Sequence, residues 1–336
     1  MASDRASAPA RFVAVGAGRM GRGIAIACAW AGHRIALVDL RPRSREAWQA
    51  LRDEARAEIE GSLTSLAELG AARPEQLAAI AARVELVAAD DAPRALAAAE
   101  LVFEGVPERI DAKRDAFAAL SAHCSDDAIL TSTTSSILVT RLAALVRRPG
   151  RFLNMHWLNP AYVIPVVELS THADTSPEVL ARTKSLLESI GKLPIVCGPT
   201  PGYIVPRLQA LVMNEAARMV EEGAASAEEI DKATRFGLGL RFAALGVVEF
   251  IDVGGADILH HASREMAASV DAARYAAPAI VGQHMASNRL GVKTGSGFYD
   301  YSGRDLAAYR RDVLARTLAM VRHAGLWQPP ADDTCS

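Results

Sequence analysis

The sequence predicts an α/β chain. A doubly wound sheet occupies residues 1–198, and an all-α C-terminal domain follows over 199–336. Three observations carry this. A Gly-x-Gly-x-x-Gly turn (Gly16, Gly18, Gly21) joins a short apolar run to a helical pattern, and a second apolar run ending in an acid comes next. Short apolar runs then alternate with helix-period stretches as far as Val196. Beyond the breaker cluster Gly198-Pro199-Thr200-Pro201-Gly202 only helix-period patterns remain.

Phe12 to Val15 is short, branched and stopped by Gly16, as a buried strand should be. In the turn, the first glycine allows the tight bend and the second lets a pyrophosphate approach the backbone. The third lets the following helix pack on the strand, and Arg19 and Met20 lie between them. Ile24, Ala25, Cys28 and Ala29 form the apolar stripe of that helix, which Gly32 ends. Ile35 to Val38 is the second strand. Asp39 then stands where an acid accepts hydrogen bonds from a ribose 2′-hydroxyl, so the whole unit is of the Rossmann type. A carboxylate there repels the extra phosphate of NADP, and NAD is the expected cofactor. Arg41, Arg43 and Arg45 read as decoration of the exposed start of the next helix.

Ser44 caps a long helix with apolar positions at Ala47, Leu51, Ala55 and Ile59, continuing through Leu63 and Leu66 to Gly70. Pro74 starts a short helix to about Ala82, so a helical arm (about 42–82) precedes the third strand, Val84 to Val87. Strands follow at Leu101 to Val106, Ile129 to Thr131, Phe152 to His156, Ile164 to Leu169 and Leu193 to Val196, with helices at Asp111 to Leu120 and Pro177 to Ile190. The second domain reads as helices at roughly 203–222, 226–236, 244–269, 277–289 and 303–325.

At 336 residues the chain exceeds what one core usually serves. With 50% hydrophobic and 23% charged residues it is an ordinary globular chain, and a net charge of −2 leaves no footprint for nucleic acid or an anionic membrane. Residues 1 to 10 hold no apolar signal core, and no stretch is long enough to span a bilayer. Cys28, Cys124, Cys197 and Cys335 have no metal-site or disulfide spacing, so reduced thiols in a cytoplasmic protein are expected, with no metal.

Three stretches at the carboxyl ends of the later strands converge where such a sheet binds ligands. They are Thr131 to Ser136, Asn154 to Pro160, and Val166 to Leu169. Oxidising an alcohol with NAD needs a base for the hydroxyl proton, and histidine titrates in the right range. His156 is the candidate base and Glu168 the carboxylate that fixes its tautomer. Ser135 and Asn159 can hold the substrate oxygen.

These stretches resemble the L-3-hydroxyacyl-CoA dehydrogenase family over about residues 11 to 303. Further matches are Leu101 to Glu108, Thr200 to Arg207, Glu221 to Asp231 and Lys293 to Tyr299. The resemblance implies His156 as base, Glu168 as its partner, Ser135 as donor to the substrate hydroxyl and Asn159 near the nicotinamide. It also places Glu108, Lys113 and Lys293 against NAD, and implies a homodimer formed through the helical domain. On residues alone, Glu108 and Lys113 read as a solvated first helical turn.

Three positions depart from the family pattern. Pro206 replaces an active-site Asn, Thr133 replaces the Asn of the Ser-Asn-Thr-Ser-Ser run, and the arm end, Ser62 to Gly70, lacks the lysines that face CoA phosphates. No lysine precedes Lys113. These departures are similar to branches acting on free acids: lambda-crystallin (gulonate), carnitine and pyridine-carboxylate dehydrogenases. The substrate positions are then Ser62, Ser135, Arg207 and Arg241, the two arginines being able to clamp a carboxylate. Oxidation of a 3-hydroxyacyl-CoA is the leading expectation, with a free hydroxy acid next and a non-catalytic, crystallin-like NAD binder third. The 3-hydroxyisobutyrate dehydrogenases share the glycine-rich opening but rely on a catalytic lysine, which the His156 and Glu168 stretches disfavour.

Overall fold

The structure, a computed structural model, describes residues 11–330; the N-terminal ten residues and Cys335 lie outside the described residues. The chain divides into two compact units between Val212 and Met213.

Among the described residues, eight strands form one sheet in the order β3-β2-β1-β4-β5-β6-β7-β8. They are β1 (Phe12–Val15), β2 (Ile35–Val38), β3 (Val84–Val87), β4 (Leu101–Glu104), β5 (Ile129–Ser132), β6 (Phe152–Trp157), β7 (Val166–Ser170) and β8 (Leu193–Cys197). Helices α1 (Arg19–Trp30), α2 (Arg45–Glu68), α3 (Pro74–Ala81), α4 (Ala92–Ala97), α5 (Ile110–His123), α6 (Val139–Ala143) and α7 (Pro177–Ser189) connect them. Alternation along each strand divides the core between the two faces. Ala14, Leu37, Phe103 and Met155 pack with α1, while Val13, Val15, Val38 and Val102 pack with α4, α5 and α6. Ser44 accepts from the Ala47 amide at 3.2 Å and caps α2, whose buried stripe is Ala55, Ile59 and Leu63.

Every strand pairing is parallel except one: β7 runs antiparallel to β6. The segment between them, 158–165, contains no helix. A parallel crossover needs a dozen or more residues, so this link can only reverse the chain. The short helices α4 and α6 were not legible as helical patterns, each being too brief to show a period.

The second unit is helical. α8 (Val205–Glu221) straddles the division. α9 (Ala227–Lys232) then runs on through a π-helical turn (Ala233–Gly239) into α10 (Leu240–Ala244). α11 (Val247–Gly254), α12 (Ala256–Ser269), α13 (Ala272–Tyr275), α14 (Ala279–Ala286) and α15 (Leu306–His323) complete it. The single helix expected over 244–269 is broken at Gly255, whose φ of +109° lies outside the helical range. No helix of the described residues is long and apolar enough to cross a membrane.

Candidate active site

The glycine-rich turn and the acid after β2 come together around one cavity. Gly16, Gly18, Arg22, Asp39, Arg41, Arg43, Gly105 and Pro107 are among the residues lining a volume of about 430 Å³. Gly16 has φ +104°, and a Cβ there would lie 2.7 Å from the Gly105 carbonyl oxygen. A Cβ on Gly21 would lie 2.0 Å from the Gly16 carbonyl, so α1 meets the turn only because that side chain is missing. Gly18 has nothing within 4 Å of an added Cβ; it is the N-cap of α1 and no side chain caps it there. An open backbone at a helix N-terminus accepts a pyrophosphate, so the residues present fit NAD.

Asp39 is buried at the rim of this cavity, and Arg43 folds back to pair with it rather than decorating the next helix. Asp39 keeps its carboxylate in the lining of the cavity, with its charge partly offset by Arg43. Calorimetry should show NAD binding at least about tenfold tighter than NADP, a gap of about 1.4 kcal/mol. Asp39→Ala should narrow that gap, and equal or reversed wild-type affinities would sink the preference. Arg22, unlike Arg43, is buried, donating to the Ala17 carbonyl at 2.8 Å and pairing with Glu54 and Glu58 on α2, which ties the arm to the turn.

The antiparallel pairing sets the next feature. His156 on β6 stands directly across from Glu168 on β7, and its Nδ1 lies 2.8 Å from Glu168 Oε2. Glu168 is wholly buried and His156 nearly so. The other carboxylate oxygen accepts from the Ile204 and Val205 amides at 2.9 and 2.8 Å. Those are orphan donors at the start of α8, where a carboxylate is favoured. An ionised carboxylate only accepts, so Nδ1 carries the proton and Nε2 is left with its lone pair. Pro206 falls in the first turn of α8, where a missing amide hydrogen breaks no helical bond.

A second buried group supports the Ser/Thr loop after β5. Lys113 and Glu104, 1% and 0% exposed, meet with Nζ 3.0 Å from both carboxylate oxygens. Lys113 therefore is not part of a solvated helical turn. It also lies 3.4 Å from Glu108. Glu108 accepts from the Thr134 hydroxyl, from the Ser135 and Ser136 amides at 3.1 Å each, and from the Ser136 hydroxyl at 2.8 Å. Partial burial opposes ionisation of Glu108. The Thr134 and Ser136 hydrogen bonds and the Lys113 ammonium nevertheless hold its carboxyl below the usual range. Glu108 thus organises the loop that presents the exposed Ser135.

Nothing in residue type or spacing singles out Tyr203. Its ring stacks on His156, centroids 4.8 Å apart and planes within 18°, and its hydroxyl donates to the Thr134 carbonyl at 2.8 Å. Only its place beside Gly202 in the Thr200 to Arg207 match pointed to it. Asn159 is exposed just beyond β6, Ser62 is half-buried on α2, and Arg207 is exposed in the first turns of α8. In the second unit, the exposed Arg241 guanidinium sits 5.9 Å from the Phe250 ring centroid. There too Lys293 pairs with Asp257 at 2.6 Å. Burial pushes the Cys28 and Cys124 thiols up to about 12, which keeps them protonated and poor nucleophiles.

Two family models match the chain. One described as the NAD binding domain of 3-hydroxyacyl-CoA dehydrogenase covers residues 12–200, and one described as its C-terminal domain covers residues 202–301. A 5-formyl-3-hydroxy-2-methylpyridine 4-carboxylate 5-dehydrogenase from Mesorhizobium japonicum is 32% identical, over 92% of this chain and 96% of its own. A lambda-crystallin homolog from Bos taurus is 36% identical, over 79% of this chain and 80% of its own. The crystal structure of a 3-hydroxyacyl-CoA dehydrogenase from Archaeoglobus fulgidus is similar with a TM-score of 0.72 at 29% identity, covering 95% of this chain and 100% of that one.

Proposed function

This chain belongs to the 3-hydroxyacyl-CoA dehydrogenase family, and from that premise we propose that it oxidises the hydroxyl of a 3-hydroxyacyl-CoA, of the 3-hydroxybutyryl-CoA kind, to the ketone. It is an NAD-dependent dehydrogenase, and NAD when bound supplies the hydride acceptor. The observation that carries the reading is the buried His156–Glu168 pair, 2.8 Å apart, with Nε2 left as a base. His156 Nε2 takes the hydroxyl proton. Glu168, held by the Ile204 and Val205 amides, keeps the ring in that tautomer and stabilises the imidazolium. Ser135, on the loop fastened by Glu108, and Asn159 hold the substrate oxygen. Two copies pair through the helical unit, a reading supported by the exposed Met213, Ile258 and Leu314.

A specific observation favours a second reading, the same chemistry on a free hydroxy acid. Residues 61–70 of the arm hold no lysine or arginine, while Arg52 and Arg73 pair with Asp53 and Glu75. CoA carries several phosphates that bind well only to cations. One of the relatives is named for a pyridine carboxylate. The test is NADH formation with 3-hydroxybutyryl-CoA beside free 3-hydroxybutyrate, gulonate, carnitine and a hydroxymethyl-pyridine carboxylate. Saturable turnover of the thioester alone excludes the free acid. Turnover of a free acid alone replaces the first reading with the second, and the same preparation should sediment as a dimer.

A further inference from the structure

We propose that Tyr203 is a positioning residue for the His156 base, holding the imidazole by its ring and the Ser135 loop by its hydroxyl. The inference rests on the reading of His156 as the base.

Four observations on one residue carry it. Tyr203 is 4% exposed, so it lies within the structure rather than over it. Its ring lies nearly parallel to the imidazole, with 4.8 Å between centroids. Its hydroxyl reaches the Thr134 carbonyl at 2.8 Å, and Thr134 is bonded in turn to Glu108. Its backbone has φ +46°, a left-handed conformation that a non-glycine residue adopts only when its surroundings require it. The chain leaving that conformation aims the next two amides, of Ile204 and Val205, at Glu168. One residue therefore joins the base, the carboxylate that orients the base, and the loop that presents the substrate-holding hydroxyl.

The two ends of the side chain do different things. The ring gives the imidazole a π-face, which attracts a cation more than a neutral group, so it favours the imidazolium formed when the proton is taken. The hydroxyl adds one hydrogen bond to a loop also held by Glu108 and by Asn154, whose amide donates to the Ile137 carbonyl at 2.9 Å. Burial pushes the phenol well above its usual range, so the hydroxyl stays a donor while the imidazole titrates. The other ionisable groups facing this cluster are Glu168 on β7, Glu108 ahead of α5, and the Cys197 thiol on β8, which burial raises.

The test separates the two ends. In Tyr203→Phe the ring stays and the hydroxyl goes. KM should rise about three- to tenfold, as expected for one lost hydrogen bond, with kcat held. In Tyr203→Leu the ring goes, and kcat should fall about tenfold through misorientation of the base. NMR of ¹³C-labelled histidine, with the His156 signal assigned against His156→Gln, follows the imidazole without any substrate. Its midpoint should stay in place in Tyr203→Phe and fall by about half to one pH unit in Tyr203→Leu. Oxidation uses the neutral ring, so the acid limb of the Tyr203→Leu profile should move to lower pH. A residue that merely filled space would lower kcat and leave that midpoint alone.

An unmoved midpoint in a Tyr203→Leu protein that still binds NAD overturns the role of the ring. Wild-type kinetics in Tyr203→Phe overturns the role of the hydroxyl. Wild-type turnover in His156→Gln overturns the base assignment instead, and the midpoint still reports whether the ring holds the imidazole.

Discussion

His156→Ala should lose about 10²–10⁴ of turnover, the range over which a positioned general base accelerates proton transfer. NAD affinity, read by calorimetry, should be nearly unchanged, because the residues lining the dinucleotide cavity do not include His156. The size of the loss follows from the pair. Nδ1 is committed to Glu168 at 2.8 Å, so the proton has one route into the ring, through Nε2. Glu168→Gln keeps the volume and the strand register but replaces an acceptor by an amide with a donor end. It should lower the rate less than His156→Ala, by misorienting the ring and failing to stabilise the imidazolium. Either variant retaining wild-type turnover, with chemistry shown to limit the rate, would remove that residue from the mechanism.

Lys113→Met should cost about 3–5 kcal/mol of stability, the usual result of removing one partner of a buried ion pair. Glu104 is wholly buried and would keep its charge with only the Ser132 hydroxyl and Val106 amide as partners. Thermal unfolding should show the midpoint lower by roughly 10 °C in a unit of this size. Lys113→Met combined with Glu104→Met should recover much of the loss, because two well-packed apolar side chains replace the pair without a stranded charge. A single variant as stable as the parent would mean that the pair is not buried in solution. Lys113 also faces Glu108 at 3.4 Å, so its removal should loosen the Ser135 loop as well as the fold.

The sequence by itself determined the class of the protein. Gly16, Gly18, Gly21 and Asp39 have few other uses in a strand–turn–helix–strand setting, and each constraint is local: a turn, a close helix, an acid one strand later. The inner strands of the first unit were legible as short apolar runs because they are buried on both faces of the sheet, unlike the edge strands β3 and β8. His156, Glu168 and Ser135 stand out in the sequence as residue types suited to alcohol oxidation, and His156 and Glu168 do meet in the structure.

What joins those residues was decided only in three dimensions. Nothing in an apolar run states its direction, and the reversal of β7 alone brings Glu168 opposite His156. The burial of Lys113 depends on Glu104, nine positions earlier on another element, so charge and helical position misled the reading of a solvated turn. The stacking of Tyr203 on His156 shares that cause. Sequence patterns record which face a residue prefers, whereas a partner far along the chain is set by register and by the backbone turns that bring elements together.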